Sequence, residues 1–388
     1  MEDSDQFVAE ISARSKIVRF FKTPKLVVNG PTSTLKATIS ITSDLGDSFY
    51  PNDVTLSVTL RSGDSSGDIY LRKSTKWTAG SRAVPLEFAL TDTDIDWPAR
   101  VHVGLKSSPM LDHFEKRHNT AGDLPSIINV WSDMLSPEEG IFEAKRLVER
   151  RFMPLSNRML CLWEETGDSI ARHLWDGGLA LTAYFDRVVS LQEHESMPML
   201  VRTLVSATYK KLNVIELGCG CGAVGIGLAQ LIPDLDVTLT DVPEVEDIVR
   251  KNIDAMTPAV SSKVRFEPLD WEAPLPSAIR DKWFGMIIVA ECTYNTNSIP
   301  LLVQTLSALV SRSPKAIVVL ATKVRHPDEA LFHKLLKDAG FRQNSHVSIP
   351  LPTEPESHPE KADLYIFYGK DGACSNEVLS DFIVSSSH

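Results

Sequence analysis

The sequence predicts an α/β chain: a doubly wound, largely parallel sheet flanked by helices, preceded by an antiparallel β-rich domain. Between Lys25 and Leu105, short runs alternate apolar and polar side chains and are broken by Gly-, Ser- and Asp-bearing turns, the pattern of strands with one buried face. Beyond Leu212, strand and helix patterns take turns, as they do where a parallel sheet is covered on both faces. A length of 388 residues exceeds the usual span of one domain, so each half has room for its own core. The expected division is a β-rich domain at 1–125 that recognises substrate or partner, an α/β domain at 126–370 and a tail at 371–388.

In the first half the strand candidates are "KLVVN", "LKATISIT", "VTLSVTLR", "DIYLRK", "VPLEFAL" and "ARVHVGL". Leu35, Ala37, Ile39 and Ile41 share one face of the second; Val54, Leu56, Val58 and Leu60 share one face of the third. A helix is expected over "SPEEGIFEAKRLVERRF". There Ser136 is placed to cap, Pro137 suits the first helical position, and Glu139 completes a capping box. Ile141, Ala144, Val148 and Phe152 then form its apolar face, and Lys145, Arg146, Arg150 and Arg151 a solvated one. In the second half the strands are "NVIEL", "DVTLT", "VRFEPL", "GMIIVA", "AIVVLAT", "FRQNSHVSI" and "DLYIFY", the first five each followed by a helical pattern. The last two are separated only by "PLPTEPESHPEKA", which predicts an antiparallel hairpin at the sheet edge.

Composition narrows the function. Hydrophobic content of 43% and charged content of 23% are those of an ordinary globular protein. A net charge of -11 opposes a broad basic footprint, so no nucleic-acid partner is expected. The start "MEDSDQFVAE" has no signal-peptide pattern, and no apolar run approaches the roughly 20 residues of a bilayer span, so no membrane partner is expected. Cys161, Cys219, Cys221, Cys292 and Cys374 are odd in number and irregularly spaced, unlike a disulfide framework. The expected setting is cytoplasmic, with the nucleus as a second compartment, and the expected state is a monomer.

The stretch "LNVIELGCGCGAVGIGL" concentrates the chemistry. Its strand ends at Leu217, so Gly218, Gly220 and Gly222 form the turn, where backbone must approach a ligand without a Cβ in the way. Gly220, Gly222 and Gly225 also spell GxGxxG, but that frame starts two residues past the strand end. Glu216, on the strand itself, would repel a pyrophosphate and favour a ligand bearing an ammonium group. That combination favours S-adenosylmethionine over a dinucleotide. Asp241 ends the second strand about 20 residues on, where an acid accepts hydrogen bonds from ribose hydroxyls. Asp270 and Trp271 end the third and suit an adenine; Ala290, Glu291 and Tyr294 stand at the end of the fourth. The Cys219–Cys221 pair has no second Cys or His pair at ligand spacing, so no metal is expected.

At these motifs the chain resembles the class I S-adenosylmethionine-dependent methyltransferases, and within them the family-16 group rich in protein-lysine methyltransferases. The resemblance rests on "LWDGGLALTAYF", "VIELGCGCGAVGI", "VTLTDVPEV", "LDW", "AECTYN", "PLLVQTL" and "ATKVRHPDEALFHKLLKDAGF", spanning roughly Ser169 to Lys370. With its β-rich N-terminus the chain looks like the fungal rapid-response-to-glucose type. The resemblance implies a seven-stranded Rossmann-like sheet and an S-adenosylmethionine site. In that site Trp175 packs on the cofactor, Gly218, Cys219 and Gly220 contact its methionine portion, Asp241 binds the ribose, Trp271 flanks the adenine and Ala290 contributes backbone. It departs from the family at "AECTYN", where Asp is more usual than Glu291 and a second Asp more usual than Asn295.

The expected activity is in-line methyl transfer to a lysine of a protein substrate, with Glu291 and Tyr294 orienting the amine, which must arrive neutral. A small-molecule N-methyltransferase shares the cofactor motifs, and a cofactor-binding interaction protein with weak catalysis is a further reading.

Overall fold

The structure, a computed structural model, describes residues 16–29, 32–63, 67–90, 93–107, 110–114, 126–167, 169–193, 195–325, 329–352 and 360–370. The expected tail at 371–388, Cys374 and most of the "PLPTEPESHPEKA" loop lie outside these residues.

The N-terminal strands are β1 (Lys16–Asn29), β2 (Thr32–Thr42), β3 (Val54–Ser62), β4 (Ile69–Trp77), β5 (Val84–Ala89), β6 (Ala99–Leu105), β7 (Asp112–His113), β8 (Ile127–Ile128), β9 (Val130–Ser132), β10 (Leu147–Met153) and β11 (Leu160–Glu165). They form two sheets, one ordered β5-β2-β1-β8 and the other β11-β10-β9-β6-β3-β4 with β7 paired to β10. Leu35, Ile39 and Ile41 of the first meet Leu56, Val58, Val101 and Val103 of the second in a single core, which makes this half a sandwich.

Two expectations change here. The anticipated helix at 136–152 is a single 3-10 turn at Pro137–Glu139 followed by the strand β10. Ser136 makes no side-chain cap, Gly140 turns left-handed at φ 77, and the backbones of Ser136 and Ile141 bond each other in both directions at 2.9 and 2.8 Å. The segment therefore closes on itself as a turn. Past it, Val148, Arg150 and Phe152 point inward with the strand's period of two. Arg150 is thus not solvated: it is fully buried, its Nε 2.7 Å from Glu164 Oε1 and its Nη1 donating to the carbonyls of Val18 and Asn129. Lys145 and Arg146 are exposed as expected. The domain boundary moves as well. Because β9, β10 and β11 complete the sheet begun by β3, β4 and β6, the sandwich runs to Glu165 rather than ending at residue 125.

The second half comprises α1 (Asp176–Val189), α2 (Pro198–Ala207), β12 (Leu212–Leu217), α3 (Ala223–Leu231), β13 (Leu235–Asp241), α4 (Glu246–Ala255), β14 (Lys263–Pro268), α5 (Ser277–Arg280), β15 (Met286–Ala290), α6 (Ile299–Arg312), β16 (Ile317–Thr322), α7 (Ala330–Asp338), β17 (Arg342–Pro350) and β18 (Lys361–Tyr368). Seven strands lie in the order β14-β13-β12-β15-β16-β18-β17. The pairs β12 with β13 and β15, β13 with β14, and β15 with β16 are parallel; β18 is antiparallel to β16 and β17. This is the expected doubly wound sheet with its antiparallel edge hairpin. The near-continuous apolar strands feed two cores. Val214, Val237, Met286 and Ile288 pack with α1, α3 and α4, whereas Ile215, Leu217, Ile287 and Val289 pack with α6 and α7. Strand order reverses at β12, between β13 and β15, and a crevice opens there beyond the carboxyl ends of the strands. Among the described residues no helix is long and apolar enough to cross a membrane.

Candidate active site

A cleft of about 380 Å3 occupies that switch point. It is lined by Trp175, Glu216, Gly218, Cys219, Gly220, Asp241, Asp270, Trp271, Ala290, Glu291 and Tyr294, so the sequence-derived residues converge. Gly222 is the exception. A Cβ there would run into the side chains of Leu239 and Ile226, so it faces the core and starts α3 instead of lining the cleft.

The loop after β12 is held by its neighbours. Gly218, Gly220 and Gly222 all have positive φ, at 64°, 53° and 79°. At Gly218 a Cβ would stand 2.4 Å from Cys292 Sγ and 3.4 Å from the Trp271 ring, so no side chain fits. Asp241 does more than end a strand: its Oδ2 accepts the Gly220 N–H at 2.7 Å and its Oδ1 the Val242 N–H at 2.8 Å. Asn252 on α4 fixes the loop from behind, donating to the Cys221 carbonyl at 2.8 Å while its Oδ1 accepts the Trp163 N–H at 2.7 Å. Nothing in the sequence pattern singled Asn252 out, since a polar residue on a helix reads as solvated.

Glu216 is buried, and its Oε2 accepts the Gly225 N–H from the first turn of α3 at 2.8 Å. Burial pushes this carboxyl up to about 8, opposed by the Gly225 bond and reinforced by Asp241. The Glu216 carboxyl thus occupies the first turn of α3, where a bound phosphate would sit. Cys219, Cys221 and Cys292 are buried free thiols raised far above the ordinary range by burial, which suits packing rather than reactivity.

Trp271 is half-buried beside Gly218, Asp270 is exposed at the rim with Oδ1 accepting the Glu272 N–H at 2.9 Å, and Tyr294 stands 56% exposed at the mouth. Glu291 behaves differently from a rim residue. Its backbone is left-handed at φ 57, an uncommon conformation for a residue with a side chain, and the side chain turns inward. There Oε2 accepts from Arg325 Nη1, and Oε1 is buried without a hydrogen-bond partner among the described residues. A Cβ on Gly177 would fall 1.9 Å from Oε1, so the glycine of "WDGG" exists to let Glu291 lie across α1.

Arg325 joins this carboxylate to the N-terminal sandwich. Its Nη2 stands 2.7 Å from Asp44 Oδ2, in the turn after β2, and its guanidinium lies 5.3 Å from the Trp175 ring centroid. Lys323 lies 2.7 Å from Asp176, 2.7 Å from Glu360 and 3.8 Å from Asp44. Burial raises Glu291 to about 7 against the pull of Arg325, and raises Asp176 to about 6 with Asp44 adding to it and Lys323 opposing. For Asp44, burial is outweighed by Lys323 and Arg325, which hold it below its ordinary value. Asp44, Asp176, Lys323 and Arg325 were absent from the sequence-derived site. Two cations just past a strand end in "ATKVR" were the available signal for the last pair; Asp44 had none.

The family described as "Lysine methyltransferase" matches residues 154–339, just under half of the chain. The UPF0665 family protein C23C4.06c of Schizosaccharomyces pombe is 28% identical over 305 residues, covering 77% of this chain and 85% of that protein. EEF1A lysine methyltransferase 3 of Mus musculus is 28% identical over 43% of this chain, and Protein-lysine N-methyltransferase rrg1 of S. pombe 27% identical over 34% of it. The matches span 62% and 46% of those two proteins' lengths, less than two thirds of each. Among solved structures, a SAM-dependent methyltransferase from Methanosarcina mazei aligns at 13% identity and a TM-score of 0.34, over 44% of this chain and 97% of that one.

Proposed function

We infer that this chain, which carries a domain of the lysine methyltransferase family over residues 154–339, moves the methyl group of S-adenosylmethionine to a lysine of a protein substrate. The observation that carries the choice of cofactor is Glu216 on the Gly225 N–H. It takes the anion position at the start of α3 and places there a carboxyl group that a cationic ligand favours in its ionised form and a dinucleotide's phosphates would oppose.

The residues present fit such a ligand. Gly218 and Gly220 bare the backbone, Asp241 stands at the end of β13 for the ribose hydroxyls, and the Trp271 and Trp175 rings supply flat apolar walls. When bound, S-adenosylmethionine supplies an electrophilic methyl group on a sulfonium. The protein then has to align a neutral amine behind that carbon and exclude water. Tyr294 at the mouth and Glu291 in the wall are the groups for orienting the amine. Glu291 near 7 beside Arg325 is an acceptor whose charge state changes across the working pH range. The sandwich would select the protein, because its Asp44 holds Arg325 and, through it, Glu291 of the cleft.

The reading is tested by incubating the full chain and tritiated S-adenosylmethionine with lysate from cells that lack it, then identifying labelled proteins by mass spectrometry. Label on a lysine of a protein is expected. Bound cofactor with no labelled protein would sink the enzyme reading, and label only in the small-molecule fraction would move the activity to the N-methyltransferase alternative.

A second expectation concerns pH. A cationic ligand beside Glu216 favours its ionised form, so below about pH 8 binding must release the proton that burial retains. S-adenosylmethionine affinity should therefore rise with pH up to about 8, and Glu216→Gln should flatten the rise. Calorimetry in buffers of differing ionisation enthalpy measures the proton count; the same count for both proteins would remove Glu216 from the ligand.

A further inference from the structure

Resting on the methyltransferase reading, we propose that the outer face of the first sheet is a docking groove for an acidic segment of the protein substrate. A cavity of about 1200 Å3 runs along β1 and β2 on the side away from the sandwich core. In a chain of net charge -11, this groove is lined by six cations and two carboxylates. The carboxylates are already engaged, Glu143 with Lys25 at 3.0 Å and Glu87 with Lys36 at 2.8 Å. Lys22, Arg82 and Arg146 are exposed with no carboxylate partner among the described residues, and Arg19 spends its guanidinium on the Thr42 hydroxyl and the Asp44 carbonyl. Like charges gathered without counter-ions raise one another's energy, which a polyanionic partner relieves. Phe21, 72% exposed between Arg19 and Lys22 in β1, adds an apolar anchor.

The groove is tied to the cleft by hydrogen bonds at two points. Gly167, in its lining, accepts from His173 Nε2 at 3.0 Å, and His173 lines the cleft. Arg19 donates to the carbonyl of Asp44, whose carboxylate holds Arg325 and through it Glu291. A segment held in the groove is therefore anchored on residues bonded to those of the cleft. A protein segment fits better than a nucleic acid, because Glu87 and Glu143 interrupt the basic face where a phosphate backbone would have to pass, and spaced acidic side chains can avoid them.

The test uses the full chain and three fluorescent probes: a 15-residue peptide with one lysine among Asp and Glu, the same lysine among Gly and Ser, and a 15-nucleotide single-stranded RNA. Anisotropy should show the acidic peptide binding at least tenfold tighter than the neutral one. The triple charge reversal Lys22→Glu, Arg82→Glu, Arg146→Glu should remove that preference while S-adenosylmethionine affinity stays unchanged. Equal binding of the two peptides, a preference that survives the reversal, or tighter binding of the RNA would each overturn the proposal. Methylation is read separately with tritiated cofactor. An acidic peptide that binds in a charge-dependent way and is never labelled supports the groove and counts against lysine as the acceptor.

Discussion

Arg325→Ala should lower methyl transfer at pH 7 by about 100-fold, the order of one lost acid-base contribution, and should move the acidic limb of the rate profile upward. The sign follows from the wall of the site. Burial already raises Glu291 to about 7 while Arg325 pulls it down, so removing the guanidinium lets the carboxyl rise further and stay protonated at neutral pH. A reaction that needs its ionised oxygen then recovers only at higher pH. Breaking the buried pair should also cost about 3–5 kcal/mol of stability, read by denaturant unfolding. Arg325→Lys should restore part of both. A rate profile that keeps its acidic limb in Arg325→Ala would show that Glu291 does not serve the reaction.

Asp241→Ala carries the other large effect. The sequence assigned this acid to a ribose alone, and the structure adds the Gly220 and Val242 N–H groups that its two oxygens accept. Leaving such groups unpaired costs about 1–3 kcal/mol, so cofactor affinity should fall by about 5- to 150-fold, toward the upper end because the glycine loop loosens as well. Asp241→Asn keeps an acceptor and should fall between. Unchanged affinity by calorimetry would exclude Asp241 from the site.

The same two residues mark how far the sequence could be read. Asp241 was legible because its place in the cleft depends on the chain near it: a strand end, a fixed distance from a glycine turn. Arg325 and Asp44 were not, because 281 residues separate them and neither lies in a local pattern that implies the other. The misread segment at 136–152 shows a related limit. Ile141, Ala144, Val148 and Phe152 fit a helical face, and Val148, Arg150 and Phe152 fit a strand equally well. Only the buried Glu164 and the unpaired edges of β9 and β11 decide for the strand, by giving Arg150 a counter-ion and the backbone its partners.

What local sequence determined, then, was the seven-stranded α/β sheet, the glycine loop and the ring of strand-end residues around the cleft, since periodicity and turn chemistry act over a few residues. The tertiary structure alone decided that the sandwich extends to Glu165, that Glu291 lies across Gly177 with its charge tied to Arg325, and that Asp44 of the sandwich holds Arg325 from behind. Those outcomes depend on which distant groups share a low-dielectric interior. There a charge is tolerated only beside its counter-ion, and the fold chooses that partner.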